Sequence, residues 1–147
     1  MPTVTTDGTS FIIDNDRHLI VGGVVGYAGL PKDTWRARLR AAKASGLNTV
    51  VVPIVWAEHE PVPGKFRFDG DQDIAHFIAT AAELNLKVIP RLGPAVASDL
   101  ALGGMPHWIT KELDSHSELR TPTPAFLTRV SKWFSQLGKQ ISGLQAT

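Results

Sequence analysis

The sequence predicts an α/β protein built as a partial (β/α)8 TIM barrel, with about three strand–helix units after a short β-hairpin. Residues 48–55, NTVVVPIV, form a nearly all-apolar run rich in β-branched residues, which is typical of a strand buried on both faces in a parallel sheet. Strand-like runs then alternate with amphipathic helical stretches along the chain. A complete barrel needs roughly 250 residues, so these 147 residues are expected to form one domain, residues 1–147, that is part of a barrel.

The first element is expected to be a hairpin. Residues 11–14 and 18–25 are apolar runs that flank Asn15, Asp16 and Arg17. Asn and Asp favour turns, so the two runs are expected to pair. The second run is expected to continue as the first barrel strand, in which Gly22 and Gly23 would allow a bend or a close backbone approach.

Three helices and two further strands follow. The first helix should begin near Pro31 and end at Gly46, and the second should begin at Asp71 or Asp73 and end near residue 84, with His76 off its apolar stripe and exposed. Residues 86–92 form the third strand and residues 93–124 a long loop. The last helix, residues 124–144, has apolar residues spaced for burial: Phe126, Val130, Trp133, Phe134, Leu137, Ile141 and Leu144.

Composition narrows the function classes. The formal net charge of +1 gives no indication of a nucleic-acid or membrane partner, and the chain has no cysteine for disulfides or thiolate metal sites. The glycines after the first strand do not match a phosphate-binding loop, so no nucleotide cofactor is expected. Residues 58–60, EHE, do not indicate a metal site, because adjacent side chains point in different directions. The N-terminal MPTVTTDGTS lacks the features of a signal peptide, so a cytoplasmic location is the default expectation.

Five motifs in order carry a family resemblance. They are WRARLRAAKASGLNTV at residues 35–50, WAEHEPVPGKFRF at 56–68, RLGP at 91–94, GGMPHW at 103–108 and LRTPTPAFL at 119–127. Together they resemble glycoside hydrolase family 35, the β-galactosidase family, over nearly the whole chain. The resemblance implies an enzyme that cleaves terminal β-galactosides with retention, using an acid/base and a nucleophile about 5 Å apart.

The catalytic pair is expected to lie outside this chain. In the family the acid/base follows an asparagine at the end of the fourth strand, and the nucleophile comes from a later strand. The chain ends at Thr147, where the fourth strand should begin, so no catalytic residue is assigned here. Glu58 and Glu60 belong to the loop after the second strand and do not fill that role.

The resemblance leaves four candidate substrate-binding residues: Asp99, Ser98, Trp56 and Glu60. Asp99 matches a sugar-contacting glutamate of relatives and is one methylene shorter. Trp56 is either a sugar platform or a core residue at the barrel mouth. For Glu60, holding its loop through hydrogen bonds is favoured over contacting sugar, and Trp108 and Arg120 are expected to fix the long loop.

Other positions depart from the family pattern. Pro53 and Ala95 stand where relatives carry tyrosine, and Ala57 stands where they carry asparagine. Each lost hydrogen-bonding group costs about 1–3 kcal/mol, so a galactose site would be weakened or retuned for another sugar.

Two functions therefore stay open. One is a β-galactosidase-like hydrolase that acts on terminal β-galactosides or a related sugar. The other is a truncated or degenerate half-barrel without catalysis, at most a weak carbohydrate binder. In either case an incomplete barrel leaves open sheet edges, so we expect the chain to self-associate.

Overall fold

Two three-stranded sheets, one antiparallel and one parallel, organise the part of the chain that the structure describes. The structure is a computed structural model and describes residues 3–112, 119 and 121–145. Its strands are β1 (Val4–Thr6), β2 (Phe11–Ile13), β3 (Asp16–His18), β4 (Gly22–Val24), β5 (Thr49–Pro53) and β6 (Lys87–Arg91). Its α-helices are α1 (Trp35–Ala44), α2 (Trp56–His59), α3 (Ile74–Glu83) and α4 (Pro124–Ile141).

The antiparallel sheet confirms the predicted hairpin and adds a strand, but the turn lies at Asp14 and Asn15 and not at residues 15–17, because Asp16 and Arg17 belong to β3. β2 pairs with β3 across a turn in which Asp14 and Asn15 adopt left-handed backbone angles, with φ of 51° and 70°. Asn and Asp tolerate this region better than other non-glycine residues, which is why they favour such turns. β1, which the sequence analysis did not predict, pairs with the other side of β2.

One strand prediction was wrong. Residues 18–25 do not form a single strand, because His18 ends β3 in the first sheet and Gly22 begins β4 in the second. The Asn48 side chain separates them: its amide donates to the Leu19 carbonyl at 2.6 Å, and its oxygen accepts from the Val21 amide at 2.9 Å. These bonds satisfy backbone groups between β3 and β4 that have no strand partner in either sheet.

The parallel sheet confirms the partial barrel. Its order is β4-β5-β6, and Val24, Val51 and Ile89 lie side by side across it. β5 is therefore the central strand, as its β-branched and apolar sequence predicts.

One face of this sheet is packed against helices, and the other face is exposed. Val50 and Val52 of β5 are buried in the same core as Leu39 of α1 and Phe77 of α3. Side chains alternate between faces along a strand, and the alternate positions are open: Val24 is 63% exposed and Ile89 is 42% exposed. Helices thus cover one face, as in a barrel wall, while the other face remains uncovered by the described residues.

The helices match the predictions closely. Asp73 caps α3 by accepting from the His76 amide at 2.9 Å, and His76 itself is exposed. α4 buries Phe126, Val130, Trp133, Leu137 and Ile141 as predicted. Two residues predicted to be buried are not: Phe134 is 36% exposed because it lies about 100° around the helix from Trp133, and Leu144 lies beyond the end of α4.

Candidate functional site

The carboxyl ends of β4, β5 and β6 meet at one edge of the parallel sheet. Parallel strands that are neighbours necessarily end at the same edge, and in (β/α) barrels this edge carries the functional loops. The loop after β4 holds Tyr27, the loop after β5 begins with α2, and the loop after β6 holds Ser98 and Asp99. These three loops form the candidate site.

Trp56 is a core residue and not a sugar platform. Its side chain is completely buried, and its ring stacks on Trp133 of α4 with centroids 5.8 Å apart and planes 10° apart. Its indole N–H donates to Oε2 of Glu60 at 2.7 Å. Of the two alternatives that the sequence left open, the structure shows core packing, because the buried Trp56 ring offers no face to a sugar.

The Glu60 side chain holds its own loop together by hydrogen bonds. It is also buried, and while Oε2 accepts from Trp56, Oε1 accepts from the Gly64 amide at 2.7 Å. Its backbone carbonyl accepts from the indole N–H of Trp108 at 2.7 Å. These hydrogen bonds agree with the loop-holding role that the sequence favoured, and because the Glu60 side chain is buried it is not proposed further as a substrate contact.

The same hydrogen bond shows that Trp108 ties the long loop after β6 to the loop after β5, as predicted. Arg120, which was predicted to share this task, lies outside the described residues.

Replacing Glu60 with glutamine should destabilise the protein. An amide has one acceptor oxygen, so either the Trp56 indole N–H or the Gly64 N–H would face a donor. We expect a loss of about 1–3 kcal/mol in the free energy of unfolding, measured by urea denaturation. Glu58→Gln is the matched control: that carboxylate is partly exposed and lies 3.8 Å from Arg67, and exposed pairs contribute about 0–1 kcal/mol. Equal losses of unfolding free energy in both variants would contradict the role of Glu60 in holding the loop.

His59 and Tyr27 form a buried pair that joins two of the loops. The His59 Nδ1–H donates to the Arg67 carbonyl at 2.9 Å, and since a carbonyl can only accept, this nitrogen carries the proton. The Nε2 atom then accepts from the Tyr27 hydroxyl. Burial lowers the pKa of His59 to about 4 and raises the pKa of the Tyr27 phenol. Both groups are thus neutral near pH 7.

From the sequence, His59 was considered only within residues 58–60, where no metal site was indicated, and Tyr27 was not singled out. The position of Tyr27 in the sequence could have indicated its place in the site, because it follows the first barrel strand just as α2 follows the second.

The loop after β6 displays the other two candidates. Ser98 and Asp99 are both exposed, and within the described residues Asp99 makes no hydrogen bond or ion pair. Beneath them the loop is tightly folded: the Val96 amide donates to the Gly103 carbonyl at 2.7 Å. Gly103 has a φ of +69°, and a Cβ there would lie 2.8 Å from the Ala95 Cβ, so only glycine fits. Asp99 is therefore a carboxylate without a partner among the described residues, on a turn that backbone hydrogen bonds close.

A surface groove of about 490 Å³ lies elsewhere, between the start of α1 and α3. Its cations are already paired, Lys32 with Asp73 at 2.8 Å and Arg36 with Glu83. The groove is therefore not assigned a function. In the described ranges no group of three or more His, Cys, Asp or Glu side chains is placed to hold a metal ion, and no helix there is long and apolar enough to cross a membrane.

Comparison with known proteins identifies the family. The model of glycosyl hydrolases family 35 matches residues 10–147. The chain belongs to this family. The resemblance noted from the five motifs is thus confirmed.

Named relatives agree with this family membership. The chain is 38% identical over 138 residues to the human β-galactosidase-1-like protein 2, an alignment that covers 94% of this chain and 21% of the relative. It is 34% identical over 143 residues to a β-galactosidase of Xanthomonas manihotis, covering 97% of this chain and 24% of the relative. The chain therefore spans about a fifth to a quarter of the length of these curated relatives.

Solved structures agree on the fold. The exo-β-1,4-mannosidase Op5Man5 from Opitutaceae bacterium strain TAV5 aligns with a TM-score of 0.70 at 19% identity, over 87% of this chain and 23% of that chain. A GH5_18 protein from Streptomyces cattleya, solved in complex with GlcNAc, aligns with a TM-score of 0.65 at 20% identity, over 83% of this chain and 30% of that chain. These likenesses confirm the partial barrel and carry no information on the substrate.

Proposed function

We propose that this chain supplies the first three strand–helix units and one sugar-contacting loop to a β-galactosidase-like hydrolase that acts on terminal β-galactosides or a related sugar. The observation that carries the proposal is Asp99, an exposed carboxylate that lacks a partner among the described residues and sits on a loop at the carboxyl edge of the sheet. Membership of glycosyl hydrolases family 35 supports the reaction class.

The chemistry of the loop suits a sugar. An ionised carboxylate has two oxygens that accept hydrogen bonds from vicinal hydroxyls, and such charge-assisted bonds are stronger than neutral ones. Ser98 beside it offers a hydroxyl that both donates and accepts. The roles of Asp99 and Ser98 as substrate contacts remain proposals.

Catalysis is not assigned to the described carboxylates of the neighbouring loop. Glu60 is buried with both oxygens occupied, and Glu58 faces Arg67. Glu60 is thus engaged in holding its loop, and Glu58 is part of an exposed ion pair on that same loop, after the second barrel strand. This observation favours, as a second candidate, a half-barrel that binds carbohydrate weakly without cleaving it.

The 147-residue polypeptide should therefore bind sugar weakly and hydrolyse none. We expect no release of aryl leaving group from aryl β-galactosides above a buffer control. Titration with methyl β-D-galactoside should show weak binding that Asp99→Asn reduces by roughly 5- to 150-fold, the loss expected for about 1–3 kcal/mol. Glu58→Gln should leave the affinity unchanged. Turnover abolished by Asp99→Asn would favour a catalytic role for Asp99, and equal losses of affinity in both variants would place the sugar elsewhere.

We also propose that the isolated chain self-associates through its open sheet. β4 and β6 each have only β5 as a neighbour in the parallel sheet of the described residues, and Val24 and Ile89 are exposed on the uncovered face. Unpaired edges and exposed apolar area both promote association. Sedimentation velocity at micromolar concentration should show species larger than a monomer, and Ile89→Lys should shift the distribution towards monomer. A concentration-independent monomer in the wild type would refute this.

A further inference from the structure

Arg91, the last residue of β6, contacts the loop that carries Ser98 and Asp99. Its Nη1–H donates to the carbonyl of Val96 at 2.8 Å. The side chain is exposed, and by strand alternation it shares the uncovered face of the sheet with Ile89 and Lys87. Among the described residues its remaining guanidinium N–H groups have no protein partner.

Val96 is the fixed point of this loop. Its side chain is buried beside Gly93 and Gly104, where an added Cβ would lie 3.3 Å and 3.1 Å from the Val96 methyl groups. Its amide donates to the Gly103 carbonyl at 2.7 Å, so with Arg91 bound to its carbonyl both backbone polar groups of Val96 are held. Ser98 and Asp99 follow two and three residues later.

Two further backbone hydrogen bonds close the tip of the loop, and the longer one runs from the Ala97 amide to the Gly103 carbonyl at 3.4 Å. The backbone closes through the Gly103 amide, which donates to the Leu100 carbonyl at 2.9 Å. The Asp99 side chain itself has no partner among the described residues, so its position is set by the backbone that leads to it. The bond from Arg91 is charge-assisted and therefore among the stronger restraints on that backbone.

We propose that Arg91 is a positioning residue that orients the Asp99 carboxylate by holding the Val96 carbonyl. This inference rests on the proposed function, because it names what keeps that carbohydrate contact in place. Arg91 acts through the loop and is not itself assigned a contact with sugar.

Three variants test the proposal. Arg91→Met keeps the apolar stem and removes the charge and the donors, whereas Arg91→Lys keeps the charge and a donor. Lys87→Met is the matched control, because Lys87 lies on the same strand and the same face, four residues earlier. Amide hydrogen exchange of Val96 and Gly103, followed by NMR, reports on the loop. Titration with methyl β-D-galactoside reports on the site.

In Arg91→Met we expect exchange at the Val96 and Gly103 amides to accelerate tenfold or more, while Lys87→Met leaves it unchanged and Arg91→Lys falls between. Sugar affinity should fall in Arg91→Met and in Asp99→Asn. The affinity of the double variant should equal that of whichever single variant binds sugar less tightly. Such non-additivity is the signature of two residues that act as a unit.

Unchanged exchange in Arg91→Met would overturn the proposal, and so would losses of affinity that multiply in the double variant. If Asp99→Asn leaves the affinity unchanged, the proposed sugar contact is wrong, and the sugar half of this inference fails with it. The exchange data then still decide whether Arg91 holds the loop.

Discussion

Trp133→Ala should remove a large part of the free energy of unfolding. The Trp133 ring is completely buried, lies 5.8 Å from the Trp56 ring and 6.3 Å from the Phe68 ring, and donates its indole N–H to the Leu92 carbonyl at 3.1 Å. Replacing such a side chain with alanine costs about 3–5 kcal/mol, and the whole stability of a domain is only about 5–15 kcal/mol. Urea denaturation followed by far-ultraviolet circular dichroism measures the loss.

The neighbouring residue provides the control. Phe134 lies on the same helix but is 36% exposed, so Phe134→Ala should cost about 1 kcal/mol or less, well below the cost of a buried aromatic. Should Trp133→Ala prove insoluble, Trp133→Phe keeps an aromatic ring and removes the N–H, with an expected cost of about 1–3 kcal/mol. Similar losses in Trp133→Ala and Phe134→Ala would show that the stacked rings do not hold α4 in place.

The stability should fall as the pH drops from about 6.5 to 4. The pKa of His59 is about 4 in the folded protein, against 6.5 for an ordinary histidine. In this window the unfolded chain binds a proton that the folded chain rejects, so acid favours unfolding. Each pKa unit corresponds to about 1.4 kcal/mol, so the contribution of His59 is on the order of 3 kcal/mol, fully present above pH 6.5 and lost towards pH 4.

The structural reason is that both nitrogen atoms of the His59 imidazole are already hydrogen-bonded. A proton on Nε2 would have to displace the Tyr27 hydroxyl hydrogen, in a site that burial has removed from water. His59→Gln should be less stable at pH 7 but show a flatter stability profile between pH 6.5 and 4. His76→Gln, at an exposed position on α3, should reproduce the wild-type slope. The idea fails if denaturation midpoints of His59→Gln and wild type change in parallel across this range.

The features that the sequence predicted correctly depend on residues close together in the chain. The β-branched run that became β5, the Asp73 cap and the existence of a hairpin near Asn15 are each set by local backbone and side-chain preferences. The family resemblance supplied the overall architecture, because motifs in a fixed order indicate a fold that single motifs do not.

The errors depend on distant residues. The break after His18 is made by Asn48, about 30 residues later. The burial of Trp56 and Glu60 depends on Trp133 and Trp108, which lie far along the chain. No local pattern around WAEHEP distinguishes a solvent-facing tryptophan from one that a later helix covers. Of the four candidate binding residues only Ser98 and Asp99 are exposed, and their role remains a prediction.

The stack of Trp56 on Trp133 also sets an order of events during synthesis. The cover of the Trp56 ring comes from a residue 77 positions later in the sequence. While α4 of a nascent chain is still inside the ribosome, Trp133 cannot reach the Trp56 ring. The loop that contains Trp56 then lacks its packing partner. Long-range contacts of this kind form late, and the apolar surface waiting for them is available to other molecules in the meantime. Chaperone dependence should therefore be greatest for ribosome-bound chains that stop short of residue 141, the end of α4.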